Sequence, residues 1–110
     1  MPTGRLDTPL DLAATTYSTA YTCPSSTFAV ATISLCNRST ASRTIRVAVT
    51  TTATPSAPGN GEFIEYDTEL LAKGVIERTG IVLQAGMKLV VWSSSTDVSV
   101  VVYGIETATA

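Results

Sequence analysis

Histidine is absent from this 110-residue chain, lysine occurs only twice, and aromatic residues make up 6%. Without imidazole there is no ordinary Ser–His pair and no His metal ligand. The two cysteines, Cys23 and Cys36, lack CxxC spacing, which argues against zinc. They are also read as reduced and buried, not bridged. Cys23 ends one predicted strand, and the next runs to Cys36, roughly 26 Å from the turn at ~3.3 Å per residue; a disulfide needs Cα atoms within about 7 Å. A basic excess is missing too: five Arg and two Lys stand among nine acids, for a net charge of −2 and a pI near 4.9. Nothing there neutralises phosphates, so no nucleic-acid partner is expected. Residues Met1–Asp7 carry no apolar core of a signal peptide. No apolar run approaches the ~20 residues of a membrane-spanning helix. The expectation is a chain made in the cytoplasm, with no membrane partner and no cofactor.

What is abundant is small and β-branched. Ser and Thr together number 30, Ala 13 and Val 11. Thr and Val are stiff at χ1 and suit a pleated surface. One domain of this length buries about 65% of its unfolded surface, enough for a core without staples. The bias predicts an all-β domain.

Alternation places the strands. Residues 1–14, with Pro2, Gly4 and Pro9, read as an extended N-terminal arm, although Leu10–Ala14 could begin a strand before Thr16–Cys23. Ala29–Cys36 puts Ala31, Ile33 and Leu35 on one face. Thr44–Thr51 turns Ile45, Val47 and Val49 inward and Arg46 and Ala48 outward. Residues 53–61, rich in Pro and Gly, form the longest loop. Phe63–Leu70, Val75–Thr79, Met87–Ser93 and Val98–Ile105 follow, with Ser94–Asp97 as a tight hairpin candidate. Residues 107–110 read as a tail. Seven or eight short antiparallel strands at even spacing predict a β-sandwich over residues 15–106, jelly-roll-like or Ig-like.

The candidate chemistry is thin. Glu65, Asp67 and Glu69 alternate along one strand and would form a negative stripe, ~6.6–6.8 Å apart on one face. A glycosidase pair is conceivable by distance alone, but no aromatic sugar platform accompanies it apart from Phe63 on the same face; Ca²⁺ wants six or more converging oxygens, and a flat strand diverges them. An edge kept charged against aggregation and a subunit contact are the stronger readings. Arg38, Arg43 and Arg46 are the natural complements, because the guanidinium fork pairs carboxylates bidentately; Glu77 and Arg78 add an adjacent pair. These eight residues are the candidate interface. Trp92, Tyr66 and Tyr103 read as core, which leaves little support for glycan recognition by stacking. Gly59-Asn60-Gly61 lacks the strand–turn–helix setting of a phosphate loop. No catalytic and no metal-binding residue is assigned, and the chain is not read as an enzyme.

The runs Phe63-Ile-Glu-Tyr-Asp-Thr68, Gly74-Val-Ile-Glu-Arg-Thr-Gly-Ile-Val-Leu83 and Val98-Ser-Val-Val-Val-Tyr-Gly-Ile-Glu106 resemble small virion proteins of tailed bacteriophages, including cyanophages. Tyr21-Thr-Cys-Pro24 and Ile33-Ser-Leu-Cys-Asn37 extend the resemblance over roughly residues 15–106. It implies a structural virion component, in the first place a head decoration (cement) protein contacting the major capsid protein and forming a homo-oligomer, most often a trimer. A tail, baseplate or fibre-associated module is the alternative in that class. A host-surface adhesin binding glycans through the 53–61 loop and the Ser94–Asp97 turn stands outside it, and a hydrolase on the acidic stripe is the weakest reading.

Overall fold

A computed structural model of the chain describes residues 3–54 and 56–109. Two antiparallel sheets pack face to face, as the alternation predicts. The strands are β1 (Thr3–Arg5), β2 (Leu10–Asp11), β3 (Ser18–Thr22), β4 (Thr27–Asn37), β5 (Arg43–Thr50), β6 (Phe63–Leu70), β7 (Val75–Leu83), β8 (Lys88–Ser93) and β9 (Val98–Ala108). One sheet has the order β1-β9-β4-β7, with β2 also lying along β9; the other has the order β3-β8-β5-β6. The first is the wide sheet below, the second the narrow sheet.

The core follows from period-two patterning. Along β4, Ala29, Ala31, Ile33 and Leu35 are buried, as are Val98, Val100 and Val102 of the neighbouring β9. The narrow sheet answers with Ile45, Val47, Leu89 and Val91. Each such aliphatic side chain contributes about 1.5–3 kcal/mol when fully buried. Gly104 of β9 is fixed by closeness to β4: a Cβ there would lie 2.0 Å from the Val30 carbonyl oxygen.

Several expectations change in the structure. Nine strands are present among the described residues, not seven or eight. Most of the segment read as an extended N-terminal arm is tied down along β9. The Leu6 amide donates to the Val102 carbonyl and the Leu12 amide to the Val98 carbonyl, each at 2.9 Å, and Leu12 is a core residue. Positions 1 and 2 of that arm lie outside the described residues, as does position 110 of the tail, whose residues Thr107 and Ala108 continue β9. Ser94–Asp97 is not a hairpin, because β8 and β9 belong to different sheets. It is a crossover, held where the Arg43 Nε–H donates to the Thr96 carbonyl at 2.9 Å and the Arg38 amide to the Asp97 carbonyl at 2.8 Å. Both cysteines are free, but only Cys23 is buried; Cys36 is half-buried, because it faces away from the core beside the inward Leu35.

Polar bonds join the sheets at their ends. The Tyr21 hydroxyl (narrow sheet) donates to the Glu106 carboxylate (wide sheet), both buried. At the opposite end, fully buried Asn37 of β4 donates to the carbonyls of Leu70 at 3.1 Å and Ala41 at 2.8 Å. An unpaired polar group in such a place would cost about 1–3 kcal/mol.

Candidate functional site

The outer face of the narrow sheet is not a plain solvated surface. Antiparallel register sets Arg46 beside Trp92 and Ala48 beside Val90. Ala48 and Val90 point away from the core yet are fully buried, because the loop after β5 returns across them. Thr54 of that loop shares a hydroxyl hydrogen bond of 2.9 Å with Thr19 of β3, and Pro58 is buried. The Glu62 carboxylate fastens the loop's end by accepting from the Thr50 hydroxyl at 2.7 Å and the Gly59 amide at 2.8 Å.

Beside the loop, aromatic rings gather around Arg46. The guanidinium lies 4.1 Å from the Trp92 ring centroid and 4.4 Å from that of Tyr66. Its Nε–H donates to the Asp67 carboxylate at 2.6 Å and its Nη1–H to the Tyr17 hydroxyl at 2.8 Å. The bond to Asp67 raises the Arg46 pKa above its already high ordinary value, so the stack holds a permanent cation. Tyr17 lies 6.3 Å from both Trp92 and Phe63, and Phe63 meets Tyr66 edge-to-face at 4.9 Å. The core role expected for Trp92, Tyr66 and Tyr103 is therefore corrected: Trp92 is half-buried on an outer face, and Tyr66 and Tyr103 are exposed. A strand signal for this exists. Lys88, Val90 and Trp92 share one parity, and an outward Lys88 carries Trp92 outward with it.

The acidic stripe does not survive folding. Glu65 pairs with Val47 and Thr68 with Ile45, leaving Tyr66 and Asp67 together opposite Arg46. This is a bulge, with Asp67 at φ 50°, and the extra residue puts Glu65 and Asp67 on opposite faces. Glu65 turns toward the gap between the sheets, where it accepts from the Thr68 hydroxyl at 2.8 Å and from Arg78 of β7 at 2.7 Å. Asp67 faces outward onto Arg46. Glu69 is exposed and joins no ion pair among the described residues. Arg38 pairs with Asp11, and Arg43 lies 3.9 Å from Asp97. Glu77 accepts from the Tyr103 hydroxyl at 2.6 Å, on the face opposite to its neighbour Arg78. Of the eight candidates, Arg46 meets Asp67 and Arg78 meets Glu65, both within one chain. No three Asp, Glu or Cys side chains converge as a metal site would require, among the described residues.

The wide sheet's outer face carries a second feature that alternation did not single out. Register aligns Val82 of β7, Val30 of β4 and Ile105 of β9 in one row across three strands. They are 67%, 42% and 55% exposed, and exposed Phe28 and Tyr103 flank them. The free edge next to this row is kinked. Ala31 pairs with Ile81 and Ile33 with Arg78, so Thr79 and Gly80 bulge opposite Thr32, with Gly80 at φ 70°. With β6 bulged at Asp67, both strands on this side of the sandwich present broken edges, which disfavours strand-to-strand pairing with other molecules.

What these surfaces offer is stacking, apolar burial and hydrogen bonding. The one strongly shifted acid–phenol contact is interior: burial and the Glu106 carboxylate push the Tyr21 hydroxyl far above its ordinary pKa. No family model matches the chain, and neither a curated protein nor a solved structure gives a significant match.

Proposed function

We propose that this chain is a structural virion protein of a tailed phage, a head decoration (cement) subunit made in the host cytoplasm. In this reading it stabilises the shell through contacts with the major capsid protein and works as a trimer of its own copies. The observation that carries the reading is the apolar row Val82–Val30–Ile105, flanked by Phe28 and Tyr103, on the outer face of the wide sheet. Apolar patches of this kind mark protein contacts. Three strands, β7, β4 and β9, span roughly 500 Å² of face at about 4.8 Å spacing and 3.3 Å rise. That is the centre of a standard interface of about 800 Å² per partner, with a polar rim to complete it. Arg5 at one margin and Glu77 at the other are exposed charges suited to that rim.

The strand order favours the jelly-roll form of the sandwich over the Ig-like form. Taking β1 and β2 as one broken strand gives eight strands in two sheets of four, the outer and inner pairs interleaved as in two Greek keys. Viral capsid domains and lectins both use that architecture, so fold alone does not choose between them. The resemblance in the Phe63–Thr68, Gly74–Leu83 and Val98–Glu106 runs supports the virion side. The eight charged candidates move to a lesser role. Seven of them are engaged within the chain: Arg46 with Asp67, Arg78 with Glu65, Arg38 with Asp11, Arg43 with Thr96 and Asp97, and Glu77 with Tyr103. Of the eight, Glu77 on β7 belongs to the wide sheet's outer face and so to this rim.

The double variant Val82→Asp, Ile105→Asp tests the reading. Both positions are solvent-facing, so each change should cost only about 1 kcal/mol, through strand propensity and the cross-strand contact with Val30. Particles assembled with the variant should carry less than a tenth of the wild-type copies, counted by mass spectrometry against the major capsid protein. Unchanged incorporation would overturn the contact. A wild-type count far below that of the capsid protein would move the chain to the tail, baseplate or fibre. Light scattering of the free protein should give the mass of three chains, falling on dilution.

A further inference from the structure

We propose that the cleft beside the arginine stack, lined by Asn60, Phe63 and Tyr66, binds neutral saccharides. This inference is independent of the assembly reading, because the cleft is lined from β6 of the narrow sheet and the turn before it, while the apolar row lies on the outer face of the wide sheet. The cleft measures about 410 Å³, within the ~300–1,000 Å³ range of small-ligand sites.

Its walls have the geometry of a sugar seat. Phe63 and Tyr66 meet at 4.9 Å with their planes at 76°, so they form a floor and an upright wall. A pyranose ring presents an apolar face of C–H groups, which the negative face of an aromatic ring attracts, and a rim of hydroxyls. The corner accepts the first on one ring and closes against the second.

Tyr66 is held in place before any ligand arrives. It is 57% exposed, but the Arg46 guanidinium covers one side of its ring at 4.4 Å. Arg46 is itself fixed by Trp92, by Asp67 and by the Tyr17 hydroxyl. A ring held this way has little rotamer freedom left to lose on binding, which is how preorganisation raises affinity. Asn60 lines the cleft from a short turn, Asn60–Glu62, pinned by the Glu62 bonds to Thr50 and Gly59. Its amide supplies both donors and an acceptor, which suits hydroxyls that do both.

Charge narrows the class. The donors of Arg46 are directed to Asp67 and Tyr17, not into the cleft, and the Glu62 carboxylate is turned to the loop backbone and Thr50. Among the described residues the cleft lining carries no charge, so neither an acidic sugar nor a phosphate finds a counter-ion there. Neutral hexose and N-acetylhexosamine units fit this lining.

Saturation-transfer NMR on the intact chain tests the proposal, with glucose, galactose, mannose and N-acetylglucosamine disaccharides as probes and sialyllactose and AMP as contrasts. At least one neutral disaccharide should give ring-proton signals that fall tenfold or more in Tyr66→Ala and several-fold in Asn60→Ala. Tyr66→Phe, which keeps the ring and its support, should retain most of the signal, and circular dichroism identifies any variant that has unfolded. The Val82→Asp, Ile105→Asp variant should bind as wild type, which separates this site from the assembly face. Silence from every neutral sugar would overturn the proposal. So would signals that persist in folded Tyr66→Ala, or binding confined to sialyllactose or AMP.

Discussion

Tyr21 shows how one buried pair sets a pH limit. Burial and the Glu106 carboxylate raise its pKa, and burial raises that of Cys23; Tyr103, bonded to Glu77, is raised as well. Each group is a neutral acid that the fold keeps protonated. Their contribution is therefore complete below the ordinary values of about 8.5 for Cys and 10 for Tyr, and is lost as the unfolded chain releases protons above them. The urea midpoint should fall between pH 7.5 and 10.5. Tyr21→Phe should be less stable at pH 7.5 by about 1–3 kcal/mol, because Glu106 loses its donor, and its midpoint should fall less steeply with pH. At this scale the sequence was readable where parity alone decided the outcome: Ile33, Leu35, Ile45 and Val47 all lie inside as alternation predicts. It was misleading for Trp92 and Tyr66, whose size suggested the core. Their partner is a cation on a neighbouring strand, and only the register of β5 against β8 and β6 brings the three together.

Strands β6 and β7 carry the main departures from simple alternation, and both departures are bulges. The acidic stripe depended on an unbroken period of two along β6, and one extra residue at Tyr66–Asp67 sent Glu65 to the interior side and Asp67 to the exterior. Nothing in the local sequence marks that position, since Asp67 is a non-glycine residue at positive φ. Gly80 is the more legible case, a glycine within an apolar strand being a bulge signal. With open space around its missing Cβ, the expense of replacing it is conformational. Gly80→Val should lower stability by about 1–2 kcal/mol through a β-branched residue at φ 70°. If the chain escapes that strain by flattening β7, the edge becomes a template for pairing. Chemical denaturation and turbidity on mild heating would register the two effects separately, and a variant as stable and as soluble as wild type would refute the role given to the bulge.

Across the whole molecule, the all-β class and the two-layer arrangement were legible, because alternating apolar positions recur at short, even intervals. Strand partners were not. Ser94–Asp97 was read as a hairpin candidate before Val98–Ile105, yet of the connections among the described residues only β1 to β2 and β5 to β6 stay within one sheet. The N-terminal segment was misjudged because Pro2, Gly4 and Pro9 outweighed Leu6, Leu10 and Leu12, whose side chains pack on or within the core. Leu12→Ala should therefore cost about 2–5 kcal/mol, as for other buried leucines, where a free arm would give almost none. In the free protein the amides of Leu6 and Leu12 should exchange slowly with solvent, being bonded to Val102 and Val98; rapid exchange there would contradict this packing. The position of β9 has a consequence for biosynthesis. It is the last made of the nine strands, yet it lies between β1 and β4, and its Glu106 bonds Tyr21 across the layers. A nascent chain lacking it leaves β1 and β2 without a ladder and one whole side of β4 unpaired, so the wide sheet waits on the ribosome and closes only after synthesis has passed residue 108.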